Sequence, residues 1–186
     1  MPKWFWRLFV PGGALLLLAL GYLGTSSLRY GPNIHDYPKV KELAGQGDVA
    51  GLNQALLEFR SLSTKSVVLS FLSDSKDDSS IPVFVKMLSF DLPWYERLDT
   101  ELKPTPREIR FSAHKVLASY GYERAGHAVV PLLESKVALE RLYAAGIMTR
   151  WGDPVGERTL EELIQHGPKR IAEEAEWVLQ KARSEK

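Results

Sequence analysis

Residues 107–121, REIRFSAHKVLASYG, lie over residues 138–152, ALERLYAAGIMTRWG, when the chain is slid by 31 positions, and a second slide reaches residues 169–183, KRIAEEAEWVLQKAR. The columns agree in kind. Ala113, Ala144 and Ala175 share one, Val116, Ile147 and Val178 the next, and Leu117, Met148 and Leu179 a third. Gly121 falls on Gly152, and Arg110 on Arg141. Within a unit, Ile109, Ala113, Val116, Leu117 and Tyr120 recur at three- and four-residue steps, the apolar stripe of an amphipathic helix. The segments between carry Val129 over Leu160, Leu132 over Leu163 and Leu133 over Ile164, so each unit predicts a helical hairpin. Gly121 and Gly152 are expected to close helices. Asp153-Pro154 predicts a cap followed by proline at the first helical position.

Working upstream, the same slide carries Leu52 to Val83, Leu56 to Met87 and Leu57 to Leu88. The two halves are joined by a shift of 49, which puts Thr64 on Ala113, Val67 on Val116, Val68 on Leu117 and Ile81-Pro82 on Val130-Pro131. That is 18 more than one repeat, so an insertion is expected at about 89–106. No alternation of β-branched residues predicts a strand. The expected fold is all-α, antiparallel helix pairs stacked in a row over residues 39–186.

Units of this length, with an arginine and then small residues on the first helix, a Gly near its end and a Val-Pro-Leu-Leu start to the second, resemble HEAT-like repeats of the phycobilisome-lyase type. The resemblance is best over Arg107 to Lys181 and weaker over Ser63 to Ser89. Over Tyr37 to Arg60 only the second helix aligns. Tyr122-Glu123 stands where the family has Asp-Pro, and the last unit has only its first helix. The resemblance implies a short right-handed α-α solenoid. It also implies protein binding, since such solenoids mostly bind other proteins.

The N-terminus reads differently. From Leu8 to Leu28 no residue is charged, a length that spans about 30 Å as a helix. Trp4, Phe5 and Trp6 flank one end and Tyr22 and Tyr30 the other, positions suited to headgroup depth. Lys3 and Arg7 precede the run and Arg29 follows it, which favours an N-terminus inside and an exported C-terminal domain. Residues 1–30 are therefore expected to be a signal anchor or transmembrane helix, with residues 8–28 in the membrane and residues 31–38 as a linker. The alternative is a signal peptide cleaved near Ala19-Leu20-Gly21 or Gly24-Thr25-Ser26, leaving a secreted domain.

Composition narrows the chemistry. Lys plus Arg number 24 against 23 Asp plus Glu, a net +1, which lacks the basic surplus of a nucleic-acid-binding protein. With no Cys there is no thiolate ligand, disulfide or cysteine nucleophile. Gly45-Gln46-Gly47 lacks the remainder of a phosphate-binding loop, and neither a His-Glu-x-x-His pair nor a Gly-x-Ser-x-Gly elbow occurs. His35, His114, His127 and His166 read as helix-surface histidines, although His114 and His127 could approach across one helix pair. Glu173, Glu174 and Glu176 read as a solvated face, with Lys169–Glu173 and Arg170–Glu174 as i,i+4 pairs. No catalytic, cofactor-binding or metal-binding residue is assigned.

Two aromatic features stand out. Trp177 shares a column with Lys115 and Gly146, so it either covers the open end of the last helix or meets a partner. The insertion carries Trp94, Tyr95 and Arg97, residue types common at interface hot spots. Trp94, Tyr95, Arg97 and Trp177 are accordingly the candidate partner-binding residues. The expected function is a membrane-anchored scaffold binding an unidentified protein outside the cytoplasm, without catalysis or cofactor. The alternative, a bilin-lyase-like enzyme or accessory protein, would need a chromophore cleft.

Overall fold

A computed structural model describes residues 36–92 and 104–184. Within them the chain forms nine α-helices and no strand. These are α1 (Asp36–Gly45), α2 (Val49–Glu58), α3 (Leu62–Ser75), α4 (Ile81–Leu88), α5 (Pro106–Tyr120), α6 (Tyr122–Val129), α7 (Ala138–Arg150), α8 (Pro154–His166) and α9 (Lys169–Ser184). Short 3-10 turns, Asp78–Ser80 and Val130–Glu134, precede α4 and follow α6. Pro38, read as linker, lies within the first turn of α1, where a missing N–H leaves no helical bond unmade.

Local chemistry sets the helix ends. The side chains of Asp48, Ser61 and Asp153 accept from Gly51, Thr64 and Val155 at 2.9, 3.1 and 2.9 Å, each cap worth about 1 kcal/mol. Thr105 and Glu108 form a reciprocal capping box at the start of α5. Gly121 and Gly152 end α5 and the α7 turn at φ 79° and 82°, a region that other residues enter at a cost. Both ends, and the Asp153-Pro154 start of α8, stand where the sequence predicts them.

The aligned columns form the core. Ala113, Ala144 and Ala175 are wholly buried, as are Leu117, Ile147 and Val178, while Val116, Met148 and Leu179 are nearly so. Helices adjacent in the chain pack together: α1 with α2, α4 with α5, α7 with α8, α8 with α9. The odd-numbered helices also touch in series, α1 to α3 to α5 to α7 to α9, and α2, α4 and α6 form a second series. Among them α7 is the most enclosed, every residue from Leu142 to Thr149 being buried.

Several expectations are corrected. His114 is not a surface residue: it is fully buried, stacked on Phe111 at 5.3 Å and tilted against Tyr143 at 5.8 Å. His127 is exposed on α6. Glu174 is not on a solvated face but 2% exposed, and Arg170 bonds Asp91 at 2.7 Å. Lys169 and Glu173 do pair, at 4.0 Å, in full view of solvent. Val130 is 36% exposed although its column mate Ile81 is buried. A 3-10 turn advances about 120° per residue where an α-helix advances 100°, so side chains after Val129 rotate off the buried face. Among the described residues no helix is long and apolar enough to cross a membrane. The span read at residues 8–28 lies outside them.

Candidate partner-binding site at the last helix

The site begins with an arginine that the helical stripe turns inward. Arg110 follows Ile109 on α5, and both side chains are buried. A buried guanidinium is costly without a counter-charge, and three elements supply its partners. Its Nε and one terminal nitrogen donate to Glu174 Oε1 of α9, at 3.0 and 2.7 Å. The other terminal nitrogen donates to the Phe90 carbonyl at 2.8 Å and lies 3.8 Å from Asp91. Tyr143 of α7 donates its hydroxyl to the same Glu174 oxygen at 2.6 Å. Burial works against the Arg110 charge, yet Tyr143 and Glu174 together hold its pKa above the ordinary value. Burial, with Glu174 alongside, pushes the Tyr143 phenol well up, so it remains a donor.

Phe90 and Asp91 stand near the start of the insertion expected at about 89–106, and Leu92 is buried in the core. Arg170 adds a second tie from α9 to Asp91. At the far end, Arg107 sits one residue inside α5 with its guanidinium 5.3 Å over the Trp177 ring. Trp177 in turn meets Phe111 edge-on, at 4.5 Å between centroids. Both ends of the insertion therefore contact α9, the helix that carries Trp177. Trp94, Tyr95 and Arg97 lie outside the described residues.

Trp177 does not merely cover a helix end. It reaches back to Phe111 and Arg107 of α5, two repeats away. A Cβ on Gly146 would come 2.6 Å from Val178 Cγ1 and 2.8 Å from His114 Nε2, so α5 and α9 close over a helix with no side chain there. The outer side of Trp177 opens into a cleft of about 1030 Å³ between α8, α9 and the start of α5. Ile164, Trp177 and Leu179 supply its apolar surface, and Glu161, Glu173 and Glu176 its acidic side chains. Gln180 and Ser184 continue the lining along α9.

A second buried charge lies near the other face of the insertion's root. Lys65 of α3 is 3% exposed, and its ammonium donates to the Leu56 carbonyl and, at 3.4 Å, to that of Leu57. These are carbonyls of the last turn of α2, where a cation is favoured. The same ammonium stands 5.3 Å over the Phe90 ring. Burial lowers its pKa to about 8.

The sequence reading missed Arg110, Tyr143, Glu174 and Lys65. One signal was present: Tyr143 and Glu174 share a repeat column with Ser112, so two large polar groups fall at one position of consecutive units. Among the described residues no group of three His, Asp or Glu could hold a metal ion. Nothing in the cleft pairs a nucleophile with a histidine base; its polar groups are carboxylates, guanidiniums, an amide and a hydroxyl. No protein-family model, curated protein or solved structure matches the chain.

Proposed function

We propose that this protein is a membrane-anchored scaffold of HEAT-like helical hairpins that binds another protein outside the cytoplasm. The two series of helices in contact, and the buried alanine columns one repeat apart, support an α-solenoid. The uncharged Leu8–Leu28 run behind Lys3 and Arg7 supports the anchor and its direction. One observation carries the binding role: before residues 93–103 Asp91 contacts Arg170 in the first turn of α9, and after them Arg107 lies over Trp177 of the same helix. The described residues on either side of the stretch that holds the insertion candidates are thus tied to the helix that carries Trp177. Interface energy concentrates in such aromatic and arginine clusters.

The test is photocrosslinking in native membranes from a probe at Gln180, on the cleft, and from one at Lys86 on α4. A stable adduct from Gln180 alone, lost in Trp177→Ala and in Trp94→Ala, is the expected result. Equal adducts from both positions, or none from either, would remove α9 as the binding surface. A C-terminal alkaline-phosphatase fusion should be active; an inactive one would reverse the topology.

A further inference from the structure

Resting on that reading, we infer that the cleft along α9 receives a basic amphipathic helix of the partner protein. Glu173, Glu176, Trp177, Gln180 and Ser184 recur at steps of three and four, so they form one face of α9. From Glu173 to Ser184 that face runs about 16 Å, or three helical turns. An occupant lying along it has the shape of a short helix, the form in which apolar anchors at i, i+3 or i+4, and i+7 enter a groove.

Charge selects the sign of its polar side. Three carboxylates, Glu161, Glu173 and Glu176, stand against two guanidiniums, Arg107 and Arg183. Arg183 is already engaged: it donates to Glu157 at 2.8 Å through Nε, again through a terminal nitrogen, and from that nitrogen to Glu161 at 3.2 Å. Arg107 lies over the indole. Among the described residues Glu173 makes an exposed contact with Lys169 at 4.0 Å, and Glu176 is exposed. Arg183 thus takes up Glu161 as well as Glu157, and the carboxylates left to the exposed rim are Glu173 and Glu176, with apolar surface of Ile164 and Trp177 beside them. Lysines or arginines flanking a stripe of leucines match both features. An acidic or neutral helix would match only the second.

The experiment uses the full chain in nanodiscs of zwitterionic lipid, with empty nanodiscs as the blank. Two fluorescein-labelled 14-residue peptides share one leucine face and carry either lysine or glutamate on the other. Anisotropy should show the lysine peptide binding at least tenfold more tightly than the glutamate peptide. Glu173→Gln with Glu176→Gln should weaken it by about fivefold or more, with far-UV circular dichroism unchanged. Trp177→Ala should weaken both peptides alike. Binding of both peptides with equal affinity, or indifference to the double glutamine variant, overturns the basic helix. So does sedimentation showing that the cleft is filled by a second copy. If neither peptide binds while the Gln180 adduct persists in membranes, the scaffold stands and the basic helix falls. Loss of that adduct as well removes both.

Discussion

Arg110 and Glu174 are joined by two hydrogen bonds across 64 positions of chain, each side chain 2% exposed. They lie on helices two repeats apart, where a straight array has contacts only between neighbours. The pair therefore ties α5 to α9, and holds Phe90 and Asp91, just after α4, to them.

Removing one partner should be severe. Glu174→Ala leaves a buried guanidinium without its carboxylate and should cost about 3–5 kcal/mol, read by urea denaturation. Arg110→Met combined with Glu174→Leu should cost clearly less than the sum of the two single changes, because no charge is then stranded. Strict additivity would show that the pair is not coupled.

Lys65 makes stability depend on alkaline pH. Its pKa falls from 10.5 to about 8 on folding. Between those values the unfolded chain holds a proton that the folded chain has released, so unfolding takes up a proton and stability rises with pH. Below about pH 8 both states are protonated and the full penalty of burying the charge remains. The gain from pH 8 to 10.5 should approach about 3 kcal/mol, and Lys65→Met should abolish that part of the slope. Denaturation midpoints at pH 7, 8.5 and 10, compared between the two proteins, measure it.

Two glycines separate by the space around them. A Cβ on Gly156 of α8 would meet the Ala145 carbonyl oxygen at 2.4 Å and the Thr149 nitrogen at 2.5 Å, backbone atoms of α7. Gly156→Ala must push α7 and α8 apart and should cost about 2 kcal/mol or more in thermal unfolding. Gly126→Ala, whose Cβ would find the Tyr122 ring at 3.4 Å, should be neutral or gain up to about 1 kcal/mol from helix propensity. The reverse order would contradict the packing.

Ala144 and Lys115 test the repeat register. Ala144 is wholly buried where neighbouring helices meet, and Lys115 is exposed on α5. Ala144→Asp strands a carboxylate in the core and should cost several kcal/mol, enough to unfold a marginal domain. Lys115→Asp should change the melting temperature by little. Equal tolerance of both would reject the alignment of columns.

What the sequence alone determined is local. Spacings of three and four residues place Ala113, Val116 and Leu117 on a buried stripe, and Gly121, Gly152 and Asp153-Pro154 end and begin helices through their own backbone preferences. Those rules act within a few residues, so they can be read from the letters. The sequence also placed an insertion between α4 and α5, because a break in period is visible without knowing the fold. Only the tertiary structure decided which polar residues are buried. In sequence, Glu174 had a local partner in Arg170, and only the repeat column it shares with Tyr143 set it apart from Glu173. In three dimensions Arg170 turns to Asp91, and α9 crosses α7 to bring Glu174 to Arg110 and Trp177 to Phe111. The same crossing buries His114 and leaves Gly146 no room for a side chain. Helical periodicity states which side of a helix is apolar. It cannot state that a helix two repeats away returns to cover the other side, because that depends on the angle at which successive hairpins stack, a property of many small contacts summed along the array.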